Sequence, residues 1–257
     1  MGNWDRKAEL TKKAQTHTEQ MNRMYPNRIK KCIEHTKTYG MDAEKPNFTP
    51  RKTLPTPEVV YVNEDTVSAL IHEASGKTAV LNYASYKNPG GMFINGSSAQ
   101  EEALCHESFL YNVLVECKDY YEWNNKNKNK SLYMNRALYS PDVVFAKGND
   151  GKLADVITCA APNIATGKRY GRVSDTENET NLFSRIAFIR DVAETEGVET
   201  LITGAYGCGV FGQSPEMVAD IQKRIFEHTS IKKIVYAVPG NDKNALVFKK
   251  EFGKEEA

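Results

Sequence analysis

A glycine-rich loop followed by two glutamates is the part of this sequence best suited to chemistry. It contains Asn88, Gly90 and Gly91 and ends at the adjacent pair Glu101 and Glu102. Paired glycines let backbone N–H groups approach a ligand closely. Neighbouring helical residues point about 100° apart, so one carboxylate can bind a hydroxyl while the other transfers a proton. The loop therefore indicates acid–base chemistry on a ligand that carries hydroxyl groups.

The two glutamates also have a simpler interpretation, which is compensation of the helix dipole in a first turn. One acidic residue would be enough for that purpose, and this chain has two in succession. The adjacent pair also differs from the catalytic pair of ordinary glycosidases, whose carboxylates flank the scissile bond from opposite sides. The arrangement favours divided roles for the two side chains.

A second glycine-rich loop, residues 204–212, places four glycines in nine residues. It lies between a predicted strand, Thr200–Thr203, and a predicted helix that begins at Ser214 and Pro215. Unpaired N–H groups at such a strand-to-helix junction bind phosphate. The spacing matches neither a nucleoside-triphosphatase loop nor a dinucleotide fingerprint. A tight turn that needs glycine only for positive φ is the alternative interpretation.

Both glycine-rich loops follow strands, and loops that follow strands of an open α/β sheet converge in one crevice. We therefore expect the two loops to face each other across a cleft. A diphosphate bound at the second loop would present a group to Glu101 and Glu102. Tyr206 and Phe211 could stack on a base or cover a sugar, and core packing is the alternative for both aromatic residues.

The rest of the pattern predicts the elements that position these loops. Helical spacing of apolar residues recurs over residues 182–193 and 218–225. Short apolar strands that alternate with such helices indicate the α/β class, with a central sheet covered on both faces. The predicted strands are residues 59–63, 78–83, 142–146, 155–160, 200–203 and 233–238, and a short helix is predicted at 66–74.

The chain length of 257 residues fits a single domain over residues 1–257, with residues 1–57 as an N-terminal extension. Residues 1–38 are polar and helix-prone, and prolines between residues 45 and 57 predict an extended connection. The alternating Lys and Asn of residues 126–130 predict a surface loop. The weak apolar face of the first helix consists of Trp4, Ala8, Leu10 and Ala14.

Composition excludes several functional classes. A net charge of +1 gives no basis for general nucleic-acid or membrane binding. The five cysteines are odd in number and lack a C-x-x-C pair, so neither a disulfide framework nor a zinc site is predicted. Reduced thiols predict a cytoplasmic protein. The sequence has no apolar stretch of membrane-spanning length, and its polar N-terminus lacks the apolar core of a signal peptide.

Together the two loops closely resemble those of the microbial-type poly(ADP-ribose) glycohydrolases, which have a macrodomain fold. The resemblance rests on the glycine pair followed by Gln100, Glu101 and Glu102, and on the second loop, GAYGCGVFG. It extends to the tetrapeptide AAPN at residues 160–163 and to VPGND at residues 238–242, and it covers residues 5–252. It implies a three-layer α/β/α macrodomain-like sandwich with a mixed central sheet and an N-terminal helical extension.

The resemblance implies hydrolysis of the ribose–ribose O-glycosidic bonds of poly(ADP-ribose), with Glu102 as general acid and base. Glu101 and Asn88 would bind ribose hydroxyls, and Phe211 would lie along the distal ribose or adenine. The implied ligand-binding set is completed by Gly90, Gly91, Gln100, Gly207, Cys208, Gly209 and Val210. No metal or cofactor is implied. The implied partners are ADP-ribose and either the polymer or an ADP-ribosylated protein.

This chain departs from the family's pattern at Met92, where the signature has a third consecutive glycine. The methionine side chain is expected either to crowd the ribose-binding loop or to pack into the core. Three alternative functions remain open at this stage. They are binding of ADP-ribose without hydrolysis, removal of a single ADP-ribose from a protein side chain, and hydrolysis of ADP-ribose phosphate, which the carboxylate pair suits less well.

Overall fold

The computed structural model describes residues 3–47, 55–145 and 151–254. Within these residues, seven strands form one mixed sheet in the order β1-β4-β5-β3-β6-β7-β2. Strand β4 is antiparallel to both of its neighbours, and the other pairs are parallel. The strands are β1 (Lys37–Gly40), β2 (Glu58–Val62), β3 (Thr78–Tyr83), β4 (Arg136–Phe145), β5 (Lys152–Cys159), β6 (Thr200–Thr203) and β7 (Lys233–Ala237).

Helices cover both faces of the sheet. Alternate residues of a strand point to opposite faces, and in β3 Ala79 and Leu81 pack into one core while Val80 packs into the other. The core around Ala79 and Leu81 contains α8 (Asp175–Thr195), α9 (Pro215–Phe226) and α10 (Lys243–Phe252). The opposite core contains α1 (Asn3–Met24), α2 (Pro26–His35), α3 (Thr66–Glu73), α4 (Gln100–His106), α5 (Leu110–Leu114) and α6 (Lys118–Lys126), and the short α7 (Ile164–Thr166) follows β5. The expected three-layer α/β/α sandwich is confirmed.

The apolar strands follow the sequence pattern closely. Strands β3 and β6 have the predicted bounds, and β2, β5 and β7 differ from prediction by one to three residues at an end. Helix α3 begins after Asp65, whose carboxylate accepts hydrogen bonds from the N–H groups of Val67 and Ser68, each at 3.0 Å. This is the expected N-cap arrangement.

The sequence pattern gives wrong bounds for one strand and misses another. The predicted strand at 142–146 covers only the end of β4, and its last residue lies outside the described ones. Pro141 hid the first part, because it sits where the register shifts between Ser140 and Val143, at a β-bulge where proline is tolerated. The sequence was also predicted to be helical to residue 38, whereas β1 begins at Lys37 and pairs with β4 as an edge strand.

The described part of the N-terminal extension contains α1 and α2, which Tyr25 separates, and then the edge strand β1. The described parts of the predicted connection, residues 45–47 and 55–57, are neither helix nor strand, and residues 48–54 lie outside the described ones. The basic segment 126–130 lies at the surface, as predicted, and is exposed except at Asn127. It is not all loop, because Lys126 is the last residue of α6 and a 3₁₀ turn spans Asn129–Ser131. No described helix is both long and apolar enough to cross a membrane.

Candidate active site

Gln100 fixes the start of α4 beside the end of β3. Its side-chain Oε1 accepts a hydrogen bond from the backbone N–H of Tyr83 at 2.9 Å. Its Nε2 donates to the carbonyl oxygen of Leu81, also at 2.9 Å. The amide therefore continues the hydrogen bonding of the strand and brings the two glutamates that follow it to the carboxyl end of the sheet.

Glu102 is buried, with 5% of its surface exposed, and both of its carboxylate oxygens accept backbone hydrogen bonds. Oε1 accepts from the N–H of Met92 at 2.9 Å, and Oε2 accepts from the N–H of Ala99 at 3.0 Å. The second bond is half of a capping box, in which the third helical residue reaches back to the N-cap. Ala99 has no side-chain oxygen to complete the box. The carboxylate thus joins two points of the first glycine-rich loop and has a fixed orientation.

Glu101 occupies a different environment on the strand side. Its Oε2 accepts from the N–H of Ser85 at 2.6 Å, and its Oε1 accepts from Nδ2 of Asn82 at 3.2 Å. Burial raises the pKa of the Glu101 carboxyl to about 8, although the N–H donors of Ser85 and Asn82 oppose the shift. Burial therefore favours the protonated form of Glu101, which can donate a hydrogen bond as well as accept one.

Gly91 lies against both carboxylates. Its φ of +63° is a conformation that L side chains rarely adopt. A Cβ atom at this position would be 2.6 Å from Oε1 of Glu102 and 2.9 Å from Oε2 of Glu101. Gly90 has the same φ, and its Cβ would lie 2.6 Å from the ring of Tyr111. The first glycine-rich loop can therefore approach the carboxylates only because it lacks side chains at these two positions.

The second glycine-rich loop exposes unpaired backbone donors. Gly207 has a φ of +79°, and its Cβ would be 2.8 Å from Cβ of Ala161, so this loop contacts the segment that follows β5. In the part of the chain that the structure describes, no backbone acceptor pairs with the N–H groups of Gly209, Val210 and Phe211. Successive free N–H groups in a glycine-rich turn form an anion-binding concavity.

The two loops line a common cleft, as the sequence predicted. A cavity of about 240 Å³ is bounded by Tyr83, Ala99, Gln100, Ala161, Ala205, Gly207, Gly209, Val210 and Phe211. An adjoining cavity of about 360 Å³ shares Tyr83, Ala99, Gln100 and Ala205 with the first and extends to Val67 and Pro239. The cleft therefore crosses the carboxyl ends of β3, β6 and β7. Among the described residues, no group of three His, Cys, Asp or Glu side chains could hold a metal ion.

The predicted site residues separate into three groups. Gln100 and most of the second loop line the cavity, while Glu101, Glu102 and Gly91 form a contacting cluster beside Gln100. Three predicted residues do not line the cavity: Asn88, Gly90 and Cys208. Asn88 is exposed, and Cys208 is half-buried, with the pKa of its thiol raised to about 12 by burial. Tyr206 is fully buried, so the core-packing interpretation is right for it, whereas Phe211 is half-buried and faces the cleft.

Sequence reasoning missed the residues that hold the glutamates. Asn82 could have been identified from the sequence as a residue that binds another polar group, because it is a polar residue in a mostly apolar strand. The structure shows that it is fully buried. Ser85 and Met92 act through backbone N–H groups, which leave no pattern in the sequence. The Met92 side chain is 45% exposed, so the alternative in which it packs into the core is wrong.

A comparison with sequence models of protein families identifies the family of this chain. A sequence model of the catalytic domain of microbial-type PARG, or poly(ADP-ribose) glycohydrolase, matches residues 7–148, which is more than half of the chain. A search of curated protein sequences finds no match.

Solved structures of bacterial enzymes share the fold. A poly(ADP-ribose) glycohydrolase from Thermomonospora curvata matches with a TM-score of 0.83 and 23% identity, over 95% of this chain and all of that one. The same enzyme bound to the inhibitor ADP-HPD gives a TM-score of 0.81 at 23% identity, with the same coverage. The Deinococcus radiodurans enzyme in complex with ADP-ribose gives 0.75 at 25% identity, over 88% of this chain and 97% of that one.

Proposed function

Because this chain belongs to the microbial-type poly(ADP-ribose) glycohydrolase family, we propose that it hydrolyses the ribose–ribose O-glycosidic bonds of poly(ADP-ribose) and releases ADP-ribose. One observation carries the proposal: the buried glutamate pair directly follows Gln100, and Gln100 lines the same cleft as the second loop with its free N–H donors. The second loop binds the diphosphate of the terminal unit through Gly209, Val210 and Phe211. The first loop then places the distal ribose at the glutamates.

In the proposed mechanism, Glu102 is the general acid and then the general base. It donates a proton to the leaving ribose oxygen as the glycosidic bond breaks and an oxocarbenium-like centre develops at the anomeric carbon. A water molecule adds to that carbon, and the Glu102 carboxylate removes its proton, which restores the acid. The bonds from the N–H groups of Met92 and Ala99 keep the carboxyl group in place through both steps.

Glu101 has a positioning and binding role in this mechanism. Its raised pKa favours the neutral form, so it can share a hydrogen bond with a ribose hydroxyl without placing a negative charge beside Glu102. Asn82 and the N–H of Ser85 orient it from the strand side. A protein that only binds ADP-ribose would need the second loop but would have no use for this buried pair.

A cytoplasmic location belongs to the same proposal. All five cysteines are free thiols, and burial raises the pKa of those at positions 32, 105, 117, 159 and 208. Unpaired, unreactive thiols are typical of proteins in a reducing compartment.

Incubation of the purified chain with labelled poly(ADP-ribose), followed by chromatography of the products, tests the proposed function. Free ADP-ribose is the expected product. Binding of ADP-ribose without any polymer cleavage would instead identify a reader. Release of ADP-ribose from a protein that carries single units, but not from polymer, would identify a mono-ADP-ribosyl hydrolase.

A further inference from the structure

We propose that a basic surface beside the glutamates binds the diphosphate of the polymer unit on the leaving side of the scissile bond. This surface consists of Lys87, the basic loop (residues 126–130) and the basic turn (Gly167–Gly171 with Arg172). The proposal rests on the proposed function, since the polymer places an anion beyond the bond that is cleaved. It gives a role to the alternating Lys and Asn residues that the active site leaves unexplained.

The order of the strands places the basic loop on the leaving side. Along the carboxyl edge of the sheet the order is β7, β6, β3, β5 and then β4. The cleft for the terminal unit crosses the ends of β7, β6 and β3, and the glutamates lie at β3. In the proposed binding mode, the polymer beyond the glutamates continues over the end of β5 and the start of β4, where Ala137 pairs with Cys159. The basic loop precedes β4 by a few residues.

Direct contacts connect the basic loop and the end of α6 to Tyr86 and Lys87, which lead from β3 into the first glycine-rich loop. Tyr86, just after β3, stacks on Tyr133 with ring centroids 4.1 Å apart, and its hydroxyl donates to the carbonyl oxygen of Asn127 at 2.8 Å. Nδ2 of Asn125 donates to the carbonyl oxygen of Lys87 at 3.4 Å. Phe211 meets Tyr133 edge-on at 6.1 Å. The same aromatic cluster thus supports the second glycine-rich loop and the basic loop.

The basic loop has a fixed backbone. Asn129, Lys130, Ser131 and Tyr133 all have positive φ, between 42° and 71°, which side chains disfavour. The N–H of Asn163 donates to the carbonyl oxygen of Ser131 at 2.9 Å. A Cβ atom added at Gly171 would lie 2.9 Å from the carbonyl oxygen of Lys130, so the lack of a side chain at Gly171 leaves room for that carbonyl. The loop and the basic turn therefore hold the backbone of their lysines in defined places.

Positive charge predominates on this surface, although Asp175 and Glu177 border it. Residues 84–91, 126–133 and 165–172 contain seven Lys and Arg and no acid, although the whole chain has a net charge of only +1. Lys130 pairs with Glu177 at 3.2 Å and Lys168 with Asp175 at 2.6 Å, and both are exposed pairs that a stronger anion can displace. Among the described residues, Lys87, Lys126 and Lys128 make no ion pair. Each ADP-ribose unit brings a diphosphate, which is the matching anion.

The test uses the full chain with three substitutions, Lys126→Gln, Lys128→Gln and Lys130→Asn, the last because asparagine tolerates positive φ. A matched control removes three exposed lysines in and just after the last turn of α10, by Lys249→Gln, Lys250→Gln and Lys254→Gln. A third variant replaces the three loop lysines by arginine and keeps the charge. Each protein is assayed on long polymer and on an ADP-ribose O-glycoside of an uncharged alcohol, and ADP-ribose binding is measured by calorimetry.

We expect the loop variant to raise KM for polymer about tenfold at low salt with kcat unchanged. The slope of log(kcat/KM) against log salt should become shallower by about 0.7 for each lysine that contacts a phosphate. Cleavage of the small glycoside and ADP-ribose affinity should not change, and the arginine and α10 variants should match wild type. Unchanged KM and salt slope in the loop variant would overturn this inference alone, whereas a wild-type protein that cannot cleave polymer would overturn the proposed function.

Discussion

Gly91 is a position in the site where there is no space for a side chain. Alanine there would place Cβ 2.6 Å from Oε1 of Glu102 and force positive φ on a side chain. We expect Gly91→Ala to lower turnover on polymer at least ~100-fold, as expected when acid–base catalysis is lost. Gly197→Ala is the matched control, because Gly197 has a φ of +70° and nothing within 4 Å of its Cβ position.

Turnover and melting temperature of both variants should be measured together. The control should lose stability through backbone strain alone and keep its turnover. If Gly91→Ala were as active as Gly197→Ala, the close approach of the loop to the carboxylates would have no catalytic importance.

The buried carboxyl of Glu101 makes stability depend on pH. Its folded-state pKa is about 8, above the ordinary value of 4.5, so the unfolded chain releases this proton first as pH rises. The free energy of unfolding should therefore fall between about pH 4.5 and pH 8 on account of this group. Glu101→Gln removes that contribution. Chemical denaturation at pH 5, 7 and 9 should show the variant gaining stability relative to wild type as pH rises, and a constant difference across that range would contradict the raised pKa.

At the residue scale, the sequence revealed the groups that carry the chemistry but not the groups that hold them. Adjacent glutamates after paired glycines are visible as a pattern, and the structure brings Glu101, Glu102 and Gly91 into contact. The bonds that fix the two carboxylates come mostly from the backbone N–H groups of Ser85, Met92 and Ala99. Every residue but proline has such a group, so only the fold determines which of them point at a carboxylate.

At the scale of elements, the second glycine-rich loop decides ligand binding. Gly209 has negative φ and open space around its Cβ position, in contrast to Gly204, whose Cβ would lie 2.5 Å from the carbonyl oxygen of Ala237. Gly209→Val should therefore fold normally but fill the space beside the free N–H donors. Calorimetry should show much weaker ADP-ribose binding with little change in melting temperature. Unchanged affinity would mean that the loop is only a turn.

Strands and helices were predictable from the sequence where burial of apolar residues determines them. They were not predictable where pairing with a neighbouring strand determines them. Strand β3 is buried on both faces and reads as an apolar run, so its bounds were correct. Strand β1 is four residues long, lies at the sheet edge and depends on β4 for its hydrogen bonds. The first part of β4 contains Pro141 at a bulge, which interrupts the apolar pattern without ending the strand.

At the scale of the whole molecule, the N-terminal helix is packed into the catalytic layer. A Cβ atom added at Gly96, in the first glycine-rich loop, would lie only 2.5 Å from the carbonyl oxygen of Lys7 in α1. Nδ2 of Asn112 in α5 donates to the carbonyl oxygen of Thr18 in α1 at 3.0 Å. Met21 is buried, whereas Met24 is 60% exposed. We propose from these contacts that residues 1–57 unfold together with the rest of a single domain.

Met21→Ala and Met24→Ala form a matched pair that tests this unity. Loss of a buried methionine costs about 2–5 kcal/mol, so Met21→Ala should move one cooperative melting transition to lower temperature, and Met24→Ala should leave it nearly unchanged. A separate low-temperature transition in Met21→Ala, with the main transition unmoved, would show that the helix unfolds independently.

The proposal that Glu102 transfers the proton is tested most directly by Glu102→Gln, which keeps the size of the side chain and removes its ionisation. Turnover of labelled poly(ADP-ribose) to free ADP-ribose should be measured for the variant and for wild type, with ADP-ribose affinity measured on the same samples. We predict that turnover falls at least ~100-fold while ADP-ribose still binds. Near-native turnover in the variant would contradict the assignment of Glu102 as the general acid and base.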